Sequence, residues 1–264
     1  MVKVTEVVAK SILNKCKIYD YCVNAYTGCQ VGCRYCYARL FMPRYSGHSE
    51  PWGTFVDVKV NAVDVLARQA ARTRKKGIVW VSSVCDAYQP LEEKYRLTRG
   101  CLEVLAANGF PVSVQSKSAL LGRDLDVFKR FADVEAGFTV TTDDERIARL
   151  FEPGASSVAE RLSALAALKS NGIRTFAFVG PMLPGDPESL AAALQGKADR
   201  ILIDRMNYDD TIRAFYARHN LGYALEPAFF EHTARRLVRA LRARGMEYEV
   251  VWGHKTDGPP PGSD

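Results

Sequence analysis

The chain lacks any apolar run long enough to cross a lipid bilayer. Its first ten residues also lack the long apolar core of a secretory signal peptide. No internal repeat and no low-complexity linker interrupts the body of its 264 residues. We therefore expect a single domain over residues 1–264, with no membrane partner. We place it in the cytoplasm, where thiols stay reduced and an exposed metal cluster survives.

A strong excess of one charge sign is also absent. The chain has 36 basic and 30 acidic residues, which gives a formal net charge of +6. This mild basic bias permits a nucleic-acid partner but does not require one. Hydrophobic residues make up 47% of the chain, the proportion of an ordinary globular protein with a large core.

Three cysteines stand close together in a chain that has seven in all. Cys29, Cys33 and Cys36 follow the spacing C-x3-C-x2-C, and Gly28 and Gly32 precede two of them. Glycine lets the backbone take positive φ and pass close to a bulky cluster. Cysteine thiolates are the usual ligands of iron–sulfur clusters. Three ligands on a four-iron cluster leave one iron open, as catalytic metal sites require.

The cysteine spacing leaves a zinc ion open as an alternative. Cys16, Cys22 or His48 would then supply the fourth ligand. Zinc loops usually carry a second, distant cysteine pair, which this chain does not have. On this alternative the protein is a non-catalytic module that contacts nucleic acid through a basic surface.

Apolar runs of strand type alternate with helical patterns along most of the chain, which predicts an α/β fold with a parallel sheet. Six such runs are found, at residues 22–26, 78–83, 111–116, 135–142, 173–179 and 200–204. They predict a partial (β/α)6 barrel over residues 20–208. Residues 209–264 form a C-terminal extension with a helix at 226–244, a strand at 246–252 and a flexible tail from residue 258.

Local signals predict further elements. Ser157 and Glu160 form a capping box at the start of a helix that ends before Gly172. Asp124 is the expected N-cap of a helix over 124–131. Other helices are expected at 62–75, 94–108 and 187–195, and residues 55–60 are expected to form an edge strand.

The cysteine loop lies within a longer pattern, Y-T-G-C-Q-V-G-C-R-Y-C-Y-A-R, preceded by N-A and followed later by D-A-Y-Q-P-L-E-E-K-Y-R-L-T-R. This pattern resembles the radical S-adenosylmethionine (radical SAM) superfamily, in its spore photoproduct lyase-like branch, which is related to DNA-repair photolyases. The resemblance implies a TIM-type partial barrel, a [4Fe–4S] cluster and SAM bound at the open iron. It also implies reductive cleavage of SAM to a 5′-deoxyadenosyl radical that abstracts hydrogen from a substrate.

The resemblance further implies an electron donor such as flavodoxin or ferredoxin. The resemblance to this branch implies a DNA lesion as the substrate, while a small molecule, a peptide or tRNA stays open.

In parallel barrels the site lies at the carboxyl ends of the strands, where this chain carries polar residues. Lys117 is the expected partner of the SAM carboxylate, because a compact ammonium suits it. The resemblance assigns SAM contacts to Ser83 and Thr141, and to Tyr35 through its backbone. Asp86 lies on the same rim and is assigned to cofactor binding with them.

Cys85 is the expected hydrogen-atom donor to the product radical, since a thiol S–H bond is weak, and Tyr88 is the expected relay beside it. The alternative for Cys85 is a small packing residue. Cys16, Cys22 and Cys101 are interpreted as structural.

Overall fold

The structure, a computed structural model, describes residues 2–207 and 212–252. At its centre is an eight-stranded sheet. In order across the sheet, the strands are β11 (Glu247–Val250), β10 (Arg200–Ile203), β9 (Arg174–Val179), β8 (Val134–Thr139), β7 (Val112–Ser116), β6 (Val79–Val81), β3 (Tyr21–Val23) and β2 (Leu13–Lys15). Neighbouring strands are parallel except β2, which is antiparallel to β3.

Helices connect the parallel strands, as the alternating pattern predicts. They are α1 (Ala38–Ser46), α2 (Ala62–Arg72), α3 (Leu91–Tyr95), α4 (Leu97–Ala107), α5 (Leu125–Phe128), α6 (Glu145–Phe151), α7 (Val158–Ser170), α8 (Pro187–Leu194), α9 (Arg213–Arg218) and α10 (Pro227–Ala243). The partial-barrel prediction is therefore confirmed. The carboxyl ends of the strands form one rim, and the polar segments that follow them meet there.

A second, three-stranded sheet has the order β1 (Lys3–Val7), β5 (Phe55–Lys59), β4 (Tyr26–Thr27). Residues 55–60 were expected to form an edge strand; the strand is confirmed, but its predicted place at an edge is wrong. β5 pairs in parallel with β1 and antiparallel with β4, so it is the central strand of that sheet. The reason is burial: Phe55, Val56 and Val58 are all inaccessible to solvent.

Two helix predictions need correction. Asp124 does not cap a helix, because its buried carboxylate instead pairs with Arg99 and Arg123 at 3.0 and 2.8 Å. A 3₁₀ turn (Ala119–Asp124) and the single turn of α5 replace the helix expected over 124–131. The helix expected over 94–108 is interrupted at Arg96, where φ is 53°. The capping box of Ser157 and Glu160 is confirmed.

The C-terminal helix and strand add to the central sheet. One face of α10 buries Phe230, Ala234, Leu237 and Leu241, the predicted apolar stripe. β11 then pairs in parallel with β10, from Arg200 opposite Glu247 to Ile203 opposite Val250. The predicted tail from residue 258 lies outside the described residues. Within the described ranges, no helix is both long and apolar enough to span a membrane.

Candidate functional site

The three cysteines lie on a loop that leaves β4 and reaches α1. Gly28 has a φ of +84°, and a Cβ at this position would collide with the Phe55 carbonyl oxygen. Only glycine fits there, which explains its place before Cys29. Cys29 and Cys33 are buried, whereas Cys36 is partly exposed at the start of α1.

The electrostatics of the loop disfavour bare thiolates. Burial is the largest cause that raises the pKa of the Cys29, Cys33 and Cys36 thiols. The Asp86 carboxylate raises the pKa of Cys29 further, while the Lys117 ammonium partly offsets the effect at Cys33. Such a donor set needs metal cations to hold its thiolates, and iron–sulfur clusters provide them. The backbone N–H of Asp86 already donates to the Cys29 sulfur at 3.3 Å.

Two of the three candidates for a fourth zinc ligand already have partners within the protein. His48 uses both ring nitrogens, which lie 2.9 Å from Glu50 and 3.0 Å from Asp57. The Cys22 sulfur accepts from the Asn24 side chain at 3.7 Å. Over residues 2–207 and 212–252, no three His, Cys, Asp or Glu side chains are placed to hold one metal ion. In a four-iron cluster each cysteine binds a different iron, so the three sulfur atoms lie farther apart than the ligands of a single metal ion do.

Asp86 connects the cysteine loop with the end of β7. Its carboxylate accepts from the Ser116 hydroxyl at 2.6 Å, from the Lys117 backbone N–H at 2.7 Å and from the Tyr88 backbone N–H at 2.9 Å. The sequence assigned Asp86 to cofactor binding. Both carboxylate oxygens of Asp86 thus accept hydrogen bonds from the protein itself. This geometry is that of a residue that positions Lys117.

Lys117 points its ammonium over the cysteine loop. Its Nζ lies 5.7 Å from the centroid of the Tyr35 ring and 3.4 Å from the Thr139 hydroxyl. Burial alone would lower its pKa, but the nearby Cys33 thiol, Glu152 and Asp86 outweigh burial and raise the pKa. No carboxylate of the described residues forms an ion pair with Lys117. It is therefore a charged donor available to a ligand carboxylate.

A buried ion pair that the sequence analysis missed lies behind Tyr35. Arg161 donates to Glu152 at 2.7 Å, and both side chains are at most 1% exposed. Glu152 also accepts from the Tyr35 hydroxyl and, at 3.1 Å, from the Thr141 hydroxyl. Thr141, which the sequence assigned to a SAM contact, thus already has a protein acceptor. The signal was readable, since Arg161 lies on the buried stripe of α7 beside Val158.

Backbone contacts attach the segment around Glu152 to the cysteine loop. The Arg34 N–H donates to the Phe151 carbonyl at 2.8 Å, and the Gly154 N–H donates to the Val31 carbonyl at 3.0 Å. A Cβ at Gly154 would collide with the Gln30 carbonyl oxygen. The position of Glu152 therefore follows that of the loop.

Asn24 fixes the segment after β6, and the sequence analysis did not single it out. Its side-chain oxygen accepts from the backbone N–H groups of Ser83 and Val84, at 2.9 and 3.0 Å, and from the Ser82 hydroxyl. Its amide nitrogen donates to the Ser83 hydroxyl at 3.0 Å. Ser83, an expected SAM contact, is thus held at the rim in a defined orientation.

The second sequence pattern, at residues 86–99, forms hydrogen bonds that support the cysteine loop. The Gln89 side-chain oxygen accepts from the Gln30 N–H at 2.9 Å. The buried Glu92 accepts from the Tyr26 hydroxyl and from Arg123, the latter at 2.9 Å. Asp86 apart, this pattern therefore stabilises the loop rather than entering the site.

Cys85 packs against Cys29 and Cys33, and its sulfur lies 3.0 Å from the Ser82 hydroxyl. Burial raises the pKa of Cys85 to about 11, so it carries its hydrogen at neutral pH. Tyr88 is fully buried, with its ring near Arg123 rather than at the rim. Among the described residues, no hydrogen bond joins its hydroxyl to Cys85.

Comparisons with known proteins bear on the family to which the chain belongs. The family model of the radical SAM superfamily matches residues 23–195. An uncharacterized protein of Methanocaldococcus jannaschii is 36% identical over 185 residues, which are 69% of each chain. A radical SAM Nα-GlyT isomerase of Pseudomonas phage M6 is 27% identical over 157 residues, 60% of this chain and 32% of that protein.

The fold has a relative among solved structures. Spore photoproduct lyase complexed with a dinucleoside spore photoproduct superposes with a TM-score of 0.68. The match covers 94% of this chain and 81% of the lyase at 16% identity, which supports the fold alone.

The family match spans more than half of the chain, and the expected fold agrees with the lyase. Radical SAM enzymes use a [4Fe–4S] cluster and SAM, and they need a reductant. The chain therefore belongs to the radical SAM superfamily and is an enzyme of that type.

Proposed function

We propose that Cys29, Cys33 and Cys36 hold a [4Fe–4S] cluster and that Lys117 binds the carboxylate of SAM beside it. The observation that carries the proposal is the shared location of three thiols and one ammonium that forms no direct ion pair with a carboxylate of the described residues. When bound, the cluster supplies the electron that splits SAM into methionine and a 5′-deoxyadenosyl radical, which abstracts hydrogen from the substrate.

The surrounding side chains hold these groups in place. Asp86 orients the Lys117 backbone and donates its own N–H to Cys29. Asn24 orients Ser83, which we propose as a SAM contact together with the backbone of Tyr35. The Thr141 hydroxyl donates to Glu152, which also binds the Tyr35 hydroxyl. We therefore propose that Thr141 contributes to SAM binding by helping to hold Tyr35 in place.

Lys117→Met tests this function. After anaerobic reconstitution we expect normal iron and sulfide but a SAM Kd raised about tenfold to hundredfold, because a charged hydrogen bond contributes about 1.5–3 kcal/mol. Isothermal titration measures the Kd, and formation of 5′-deoxyadenosine measures cleavage. Lys94→Met is the matched control, since Lys94 also lies over a tyrosine ring, 4.8 Å from that of Tyr95, but is exposed. Equal SAM affinity in both variants would contradict the assignment of Lys117.

The electron donor is proposed to be a cytoplasmic flavodoxin or ferredoxin. In the same cleavage assay, the reduced form of one of these proteins should replace dithionite. If neither supports formation of 5′-deoxyadenosine when dithionite does, the donor belongs to another class.

Cys85 is proposed to give the hydrogen atom of its S–H group to the substrate radical. The thiyl radical left on Cys85 then takes up one electron from the proposed electron donor and one proton from solvent. The neutral thiol of Cys85 lies against the cysteine loop, which supports this role, whereas the buried position of Tyr88 gives no support for a relay. Cys85→Ala should leave 5′-deoxyadenosine formation intact and abolish the hydrogenated product. Mass spectrometry measures the amounts of 5′-deoxyadenosine and of the hydrogenated product, and Cys16→Ala is the control. An unchanged product ratio in Cys85→Ala would return Cys85 to a packing role.

For the substrate, we propose a lesion in a nucleic acid, with DNA first. One solved structure of the same fold suits this choice, the spore photoproduct lyase complexed with a dinucleoside spore photoproduct. Residues 29–49 contain three arginines and no acidic residue. On α1, Phe41 lies 5.8 Å from Tyr37 and 6.3 Å from Tyr45 between ring centroids, and Tyr45 is 60% exposed. Aromatic rings among basic residues bind single strands by stacking.

Phe41→Ala combined with Tyr45→Ala should weaken binding of a short single-stranded DNA by about tenfold or more, because stacking contributes about 1–3 kcal/mol per base. Fluorescence anisotropy at two salt concentrations measures this. Tyr223→Ala is the control, since Tyr223 is 57% exposed on another element. If the double variant binds as tightly as the control, a peptide, tRNA or small-molecule substrate takes precedence.

A further inference from the structure

A tight turn at residues 51–54, just before β5, packs against the cysteine loop. The Thr54 N–H donates to the Pro51 carbonyl at 3.0 Å, which closes the turn. Gly53 has a φ of +97°, and a Cβ there would lie 3.1 Å from the Cα of Gly32. The turn therefore needs glycine at this position and brings its other central residue, Trp52, to the loop.

Trp52 lies beside the buried part of the cysteine loop. Its side chain packs against the group formed by Cys29, Val31 and Cys33, and the Phe55 ring meets it edge-on, with centroids 5.9 Å apart. The indole Nε1 is inaccessible to solvent and has no acceptor among the described residues. Buried indole N–H groups usually have a partner, because an unmet donor is costly to bury. The described residues therefore leave this indole without an acceptor, although its side chain packs against the group that contains two of the cysteines.

We propose that the Trp52 indole N–H donates a hydrogen bond to a sulfur of the cluster assembly, either an inorganic sulfide or a cysteine thiolate. This inference rests on the proposed function, since it needs the cluster at Cys29, Cys33 and Cys36. A donor aimed at sulfur stabilises the more negative, reduced cluster, and the ring shields it from water. Both effects set the reduction potential of such clusters. Trp52 is thus a residue that tunes the cluster without touching the substrate.

Trp52→Phe keeps an aromatic ring and removes the donor. In a potentiometric titration followed by electron paramagnetic resonance, its cluster should have a more negative midpoint potential than the unaltered protein. Trp80→Phe is the matched control, because Trp80 lies on β6 and contacts Tyr19 at 5.8 Å between ring centroids. Its potential should not move. Equal potentials in the two variants and the unaltered protein would overturn the proposal.

A second measurement covers the case in which Trp52→Phe fails to bind iron. Tryptophan labelled with ¹⁵N in the indole is incorporated into a Trp80→Phe, Trp252→Phe double variant, in which Trp52 is the remaining tryptophan. The reduced cluster of this variant is studied by pulsed electron paramagnetic resonance. A hyperfine coupling to the indole nitrogen and its exchangeable hydrogen is expected. Its absence in iron-replete protein overturns the hydrogen bond alone. Absence of iron and sulfide from the unaltered protein would overturn the cluster itself.

Discussion

Alanine at any one of Cys29, Cys33 and Cys36 is expected to abolish both the visible absorption of the reconstituted protein and its cleavage of SAM. The loop offers no spare ligand, because His48 is bound to Glu50 and Asp57 and Cys85 already contacts Ser82. A three-ligand cluster that loses one cysteine therefore loses the assembly. Iron and sulfide analysis, with formation of 5′-deoxyadenosine, measures the outcome.

Cys16→Ala is the control for this series, because Cys16 is a partly exposed cysteine outside the loop. It should keep the full iron content and activity. Retention of the cluster and of SAM cleavage by all three loop variants would overturn the metal assignment. Bound zinc without sulfide in the unaltered protein would restore the alternative that the sequence left open.

Arg161→Met is expected to destabilise the protein by about 3–5 kcal/mol, the typical cost of leaving one partner of a buried ion pair without the other. Glu152 would then remain buried, with hydroxyl donors as its neighbours but without its direct ion-pair partner. Urea unfolding measures the change in the free energy of unfolding. We expect the double variant Glu152→Gln with Arg161→Met to recover part of the loss, because no unpaired charge remains.

The exposed pair of Arg149 and Glu145 provides a matched control on the neighbouring helix. Its atoms are 3.1 Å apart, close to the spacing of the buried pair, but the Arg149 side chain is 76% exposed. Arg149→Met should change the stability by less than about 1 kcal/mol, since solvent screens surface pairs. If Arg161→Met costs no more than Arg149→Met, the buried pair does not stabilise the site.

The predictions that the structure and the comparisons confirm depend on short-range patterns. Apolar runs alternate with helical periodicity, and this alternation alone specifies a parallel sheet with helical crossovers. Ser157 and Glu160 cap α7 because both partners lie within one helical turn. The spacing of Cys29, Cys33 and Cys36 beside two glycines identified the family for the same reason: the chemistry is contained in eight residues.

Contacts between distant residues decided the rest. Asp86 lies on the predicted rim, but its carboxylate is occupied by Ser116 and Lys117, about thirty residues further along. Asp124 follows the rule for an N-cap, yet two arginines outcompete the backbone for it.

The sequence by itself determined the fold class, the superfamily and the loop that carries the cysteines. Only the tertiary structure decided what surrounds that loop: the Glu152–Arg161 pair behind Tyr35 and the Trp52 indole beside the thiols. The physical reason is that charge pairing and donor satisfaction depend on burial. Burial is a property of the whole packed chain, which no local window of sequence contains.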